Sequence, residues 1–339
     1  MKFKHICLWL ALAASLVAVS CKKDEEEELD DYLYGSLYFP IPQFLKVGEQ
    51  VTLSPSGVRR EDNGSLGYAW VVTPTSQVDT SRFEKDPASK KADWVYTIPD
   101  TLVTLQIKCT AFAEGYYTSS CTMETTVIDP EKSVHDLDFS GSSGFFTDSR
   151  DGKEYPYVTI DGRDWFAKNL AYEGVGEPYD YCDAVKDVFG MYYTWNEAAG
   201  ACPEGWELPS EADWVSLASR YKKDAGFQPQ ATFEGVAGNL MGNARFNSED
   251  ELLWEYWPTV NVTNDAKLFL LPFGYAAAGH SGKFAFTGFR EFAVFWTADE
   301  YDADMAIYRY FYQDKADVYA NAGYKDDFLA PVRCVRDAE

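Results

Sequence analysis

Seven cysteines, three histidines and two clusters, one aromatic and one acidic, are the parts of this chain that could do chemistry. Cys109, Cys121, Cys182, Cys202 and Cys334 lie in sequence that reads as folded. Five is odd, so at least one thiol is free or pairs outside the chain. No Cys-x-x-Cys pair and no Cys/His cluster of zinc spacing occurs. The run Asp299-Glu300-Tyr301-Asp302, with Asp304, is dense enough in hard oxygen ligands to hold Ca²⁺, although the commoner reading of such a run is a solvated loop. Trp254-Glu255-Tyr256-Trp257-Pro258 sets three large rings between charged and turn residues. Flat rings stack on sugar faces or fill a partner's pocket, so Trp254, Tyr256 and Trp257 are ligand-binding candidates; the alternative is that they are core. His280, in Gly279-His280-Ser281-Gly282, is a weaker candidate of the same kind, and Ser281 beside it forms no nucleophile elbow. A P-loop, a dinucleotide fingerprint and an HExxH motif are all missing, so the sequence nominates neither a catalytic residue nor a cofactor.

The charge narrows the partners. With 54 acidic against 30 basic residues the formal net charge is -24, a surface that repels phosphate backbones and excludes nucleic acid as an expected partner. At the start, Lys2 and Lys4 precede an apolar run over 8–19 that is too short to span a bilayer comfortably and ends in small residues. Ala18-Val19-Ser20-Cys21 resembles a bacterial lipobox. That resemblance implies removal of residues 1–20 and acylation of Cys21, so the membrane is reached only through the N-terminal lipid. The following Lys22-Lys23-Asp24-Glu25-Glu26-Glu27-Glu28 resembles the export signal of Bacteroidetes lipoproteins that face outward on the outer membrane. Residues 22–31 cannot bury apolar surface, and 21–31 read as an extended tether that reaches about 35 Å at most.

Short β-type runs separated by turns fill 32–128. Val103, Leu105, Ile107, Cys109 and Ala111 alternate strictly, which predicts one buried and one wet face. Glu114-Gly115 supplies the turn of a terminal hairpin that would set Cys109 opposite Cys121, as a cross-strand disulfide or as two separate buried thiols. With Trp70 central, the pattern suggests a β-sandwich similar to immunoglobulin-like or polycystic-kidney-disease-like spacer modules. Residues 129–144, rich in Ser and Gly, read as a linker. Beyond it, two strands alternate around the hairpin dipeptide Asp161-Gly162. Helices are expected over 194–201, from Ser210 onward with a capping signal, and more weakly over 235–244. After Leu252 the chain returns to strands, including 268–271, 292–297, 306–312 and 330–335. Two helices among many short strands argue for an α+β fold.

The motifs of this second part occur in a recognisable order. They are Asp151-Gly152-Lys153-Glu154-Tyr155, Trp165-Phe166-Ala167-Lys168-Asn169-Leu170, Tyr192-Tyr193-Thr194-Trp195, Ala201-Cys202-Pro203-Glu204-Gly205-Trp206, Phe295-Trp296-Thr297 and Val332-Arg333-Cys334-Val335. Together they resemble the Fibrobacter succinogenes major paralogous domain over 145–339. The resemblance implies a C-type-lectin-like fold in an exported or lipid-anchored protein, and a disulfide between Cys202 and Cys334 that joins the helix-proximal cysteine to the last strand. Cys182 is then left over, as a free loop thiol or one that pairs with a partner protein. The sequence departs from the family in that Cys182 stands alone where a cysteine pair is common, and in Ala277-Ala278. The expected architecture is multidomain, an all-β immunoglobulin-like sandwich followed by an α+β C-type-lectin-like domain. The expected role is that of a non-enzymatic surface lipoprotein binding carbohydrate or a cell-surface protein. A structural or pilus-associated subunit is the alternative, and a relative of the formylglycine-generating oxidases, which need two neighbouring reactive cysteines, is a more distant one.

Overall fold

The apolar-polar alternation of Thr104–Phe112 places Leu105, Ile107, Cys109 and Ala111 in a buried layer. This strand is central in a four-stranded sheet, ordered Phe44–Lys46, Ser119–Ile128, Thr104–Phe112 and Gly67–Pro74. The computed structural model describes residues 31–74, 93–248, 252–254 and 260–339. The expected signal segment, Cys21, the tether up to residue 30, Tyr256 and Trp257 lie outside the described residues. Two ribbons, Tyr34–Tyr38 with Ser56–Arg59 and Gln50–Leu53 with Trp94–Thr97, supply Leu37 and Leu53 to the same core. Trp70 is fully buried there, edge-on to Phe39 at 5.0 Å and stacked on Trp94 at 5.6 Å. The hairpin register sets Cys121 opposite Cys109, and both remain thiols.

The C-terminal part holds a sheet ordered Gly144–Thr147, Glu154–Ile160, Arg163–Phe166 and Val335–Asp337. A larger one runs Phe284–Phe289, Phe273–Ala278, Phe292–Glu300, Met305–Tyr312 and Tyr319–Tyr324. Asp161 and Gly162 both take positive φ, 49° and 84°, which is what a two-residue type I′ hairpin requires. The fold is thus a β-rich assembly of several sheets with few helices. None of the helices among the described residues is long and apolar enough to cross a membrane.

The helices expected over 194–201 and from Ser210 both form, the second where its capping signal predicts. Thr194 and Ser210 cap Trp195–Ala201 and Glu211–Ser219, each in a capping box, with Glu197 and Asp213 respectively. The weaker helix expected over 235–244 shrinks to Ala237–Leu240, because its glycines are used for close backbone approach. A Cβ on Gly238 would stand 2.0 Å from the carbonyl oxygen of Asn261, and one on Gly242 2.6 Å from the Cα of Phe269. The strand expected over 268–271 is also lost, since Lys267 and Phe269 take left-handed φ of 56° and 49°.

The connection 129–144 is not a loose linker. Ser133 is fully buried and its hydroxyl accepts from the Asp129 amide at 2.9 Å, while Val134–His135 pairs antiparallel with Arg245–Phe246. The N-terminal sheet docks beside it. Phe44 is fully buried among C-terminal rings, with centroid distances of 5.8 Å to Tyr179, 5.4 Å to Phe189 and 5.2 Å to Phe289. Hydrogen bonds lock the same seam: the Gln43 amide donates to Asp180 at 3.0 Å, and Asn247 Nδ2 donates to the Val127 carbonyl at 3.0 Å.

The turn that leads into the first C-terminal hairpin is fixed by charge. Buried Asp148 accepts from the Arg150 amide at 3.0 Å and from its guanidinium at 2.7 Å, and that guanidinium lies 3.7 Å from the Tyr172 ring centroid. Burial pushes the carboxyl up, but the hydrogen bonds and charge of Arg150 outweigh it and hold Asp148 below the usual carboxylate range. A depressed carboxyl stabilises the fold above its unfolded value, about pH 3.9, and that stability is lost as pH falls through the folded value. Asp148→Asn is therefore expected to cost about 1–3 kcal/mol at neutral pH and to flatten the loss of stability in acid, as read from urea midpoints between about pH 2 and pH 6.

Candidate functional site

Trp254 is core. It is 1 % exposed, packs with Trp214 and Leu268, and its indole N–H donates to the Leu270 carbonyl at 3.0 Å. The aromatic ligand platform expected at 254–257 therefore loses this member, since an indole whose polar end is satisfied inside cannot present its face to a sugar. His280 lies in an exposed turn, His280–Gly282.

The acidic run does not form a calcium site. Asp299 accepts from the Glu211 amide at 2.7 Å, at the start of a helix. Asp302 closes a turn by accepting from the amides of Asp304 and Met305, at 2.9 and 2.8 Å. The Lys325 ammonium takes the place a cation would occupy, bonded to Glu300 at 2.8 Å and to the carbonyls of Asp302 and Ala303 at 3.1 and 2.9 Å. An internal cation satisfies these oxygens without a metal, and among the described residues no three His, Cys, Asp or Glu side chains converge on a metal position.

The cysteines divide by environment. Cys202 and Cys334 form a disulfide that spans 132 residues of sequence. Cys182, expected on a loop, is buried in the seam, where its thiol donates to the Phe44 carbonyl at 3.0 Å and burial pushes its pKa up to about 11. A thiol held protonated and covered in this way is a poor nucleophile.

A cleft that the sequence did not single out has the attributes of a site. Its volume is about 520 Å³, within the ~300–1,000 Å³ range of small-ligand pockets. The connection itself lines it through Val134, Leu137 and Phe139, and Lys153, Tyr155 and Lys168 line it too. Phe269, Phe273 and Arg333 also line it. Phe139 and Phe269 meet with ring centroids 4.9 Å apart. Phe269 is bulky and nonetheless left-handed, a backbone state held by the Asn264 side chain, which accepts from its amide at 3.0 Å. Such conformations persist where the surroundings over-determine them, and they cluster at sites.

The cations of the cleft differ in their partners. Lys153 bonds Asp187 at 2.9 Å, Glu173 at 3.0 Å and the Ala171 carbonyl at 2.7 Å; burial lowers its pKa, yet the two carboxylates raise it above the ordinary lysine value. Lys168 has no carboxylate at ion-pair distance among the described residues. Its ammonium lies 5.1 Å from the Phe139 ring centroid, and burial lowers its pKa against a partial offset from the charge of Glu154. The side chain is exposed to water at the mouth of the cleft. Arg333 is 2 % exposed and donates to Asn169 Oδ1 at 2.6 Å and to the carbonyls of Phe166, Leu268 and Phe269 at 3.0, 2.7 and 3.0 Å. Burial pulls its pKa down to about 9, so it remains a cation at neutral pH. A second cleft, of about 620 Å³ and lined by Leu45, Tyr181 and Cys182, follows the seam and shares Pro130 and Asp187 with the first.

Lys168 and Arg333 both belong to the motifs quoted above, but their convergence is a product of the fold. Phe139 and Phe269 carried no local signal. No curated protein matches the chain. The sequence model of the Fibrobacter succinogenes major domain matches residues 158–336, just over half of the chain, beginning after the lining residues Phe139, Lys153 and Tyr155. The chain therefore belongs to the Fibrobacter succinogenes major domain family.

Proposed function

We propose that this protein is a non-enzymatic lipoprotein of the outer-membrane surface, anchored through acylated Cys21, and that it binds carbohydrate in the cleft lined by Phe139 and Lys168. In this reading an immunoglobulin-like sandwich over 32–128 supports a C-type-lectin-like domain over 145–339, and the connection over 129–144 completes the site. The observation that carries it is a cleft of small-ligand size in which aromatic rings stand beside cations, the mixture that grips a polar ligand with apolar faces. In the C-terminal part Cys182 is a protonated, covered thiol and Cys202 and Cys334 are tied in a disulfide, while in the facing pair Cys109 and Cys121 burial pushes the Cys109 thiol up to about 12; these environments favour binding over oxidase chemistry. A glycan array probed with the whole mature chain is expected to give a saccharide signal that falls at least tenfold in Phe139→Ala. An array signal that Phe139→Ala leaves untouched would move the site elsewhere. Loss of the head to protease on intact cells is the expected sign of outward orientation.

A further inference from the structure

Two arginines are buried in the C-terminal part, and they are treated differently. Arg309 is fully buried and meets an equally buried carboxylate: its guanidinium makes two hydrogen bonds to Glu211, donates to the Ala231 carbonyl at 2.6 Å and lies 3.8 Å from the Phe233 ring centroid. That is how a buried guanidinium is neutralised when its role is internal. Arg333 spends four of its five N–H donors on neutral oxygens, and its unit charge is matched by no carboxylate at ion-pair distance among the described residues. It lines the cleft, as does Lys168, the second cation without an ion-pair partner.

The uncompensated charge of Arg333 lies in a low-dielectric setting, which is unfavourable, and a bound anion relieves it; Lys168, at the exposed mouth, adds a cation on the anion's way in. The acids of the cleft do not supply that relief. Asp187 is bonded to Lys153, and Glu131 and Glu154 are exposed at the rim, where water and salt screen them.

We propose that the ligand is an acidic saccharide, whose carboxylate or sulfate group lies against Lys168 and Arg333 while its ring faces Phe139 and Phe269. This rests on the carbohydrate reading above and adds the charge class. The left-handed Phe269 serves both functions: its carbonyl holds the Arg333 guanidinium at 3.0 Å and its ring packs on Phe139.

Calorimetric titration of the whole mature chain tests this with three probes, a glucuronic-acid disaccharide, its glucose counterpart and a sulfated glucose disaccharide. At least one acidic probe is expected to bind ten times or more tightly than the glucose disaccharide, and to weaken as salt rises from about 50 to 200 mM. Which acidic probe binds identifies the anion. Lys168→Ala, at the wet mouth of the cleft, is expected to fold normally and to erase the preference, and Lys168→Glu to reverse it. Equal affinity for the acidic and neutral probes, or a preference that survives Lys168→Ala, overturns the acidic-ligand proposal and leaves the carbohydrate reading standing. Absence of binding by all three probes, together with a blank glycan array, overturns both.

Discussion

Cys334→Ser, or reduction of the wild-type protein, is expected to lower stability by about 5 kcal/mol, the chain-entropy value for a cross-link spanning 132 residues. The bond joins the end of the helix Trp195–Ala201 to the start of the last strand, and it closes the chain from 202 to 334 into one loop. Cys334 is fully buried, and its carbonyl accepts from the Phe166 amide at 3.0 Å, so the last strand is held at both its side chain and its backbone. The residue before it is Arg333, the cation of the cleft. Loosening this strand therefore moves the site as well as the stability, and saccharide binding is expected to fall before the protein is globally unfolded. Urea unfolding with and without reductant reads the first effect. A difference below about 2 kcal/mol would mean that the unfolded chain is already compact enough for the cross-link to constrain little.

Features governed by neighbours in sequence were legible beforehand. The capping residue Ser210, the Asp161-Gly162 turn and the alternation from Val103 to Ala111 act within a few residues, and each formed as the local rule requires. The pairing of Cys202 with Cys334 was legible only through the family resemblance, because nothing local links residues so far apart. What escaped notice depends on long-range burial. Lys325 reads as an ordinary lysine until the fold lowers its ammonium into the turn of Asp302. Trp254 reads either as a ligand platform or as core, and only the fold, in which its indole finds the Leu270 carbonyl, decides for core. The connection 129–144 has the Ser and Gly content of a linker, yet Val134, Leu137 and Phe139 are enough to make it a wall of the cleft. A charge in the cleft has the same letter in the sequence as a charge in solvent; only the missing carboxylate beside Arg333, set against the one beside Arg309, distinguishes them.

Phe44→Ala is expected to cost about 3–5 kcal/mol and to divide a single unfolding transition into two. The ring is fully buried in a nest of Tyr179, Phe189 and Phe289 contributed by the other part of the chain, so its removal leaves a cavity lined by rings that cannot collapse onto one another without moving whole strands. The hydrogen bonds of the seam, from the Gln43 amide to Asp180 and from the Cys182 thiol to the Phe44 carbonyl, depend on the same docking. With the ring gone they must hold the seam alone, and each contributes only about 1 kcal/mol net. The N-terminal sheets, which keep their own core around Trp70, would then melt separately from the C-terminal sheets. The effect should reach the cleft through Pro130, which borders both the seam groove and the cleft itself. Differential scanning calorimetry separates this account from a simple loss of packing: two resolved transitions with weakened saccharide binding mean that the seam couples the parts, whereas one transition shifted to lower temperature, with binding intact, means that Phe44 only fills space.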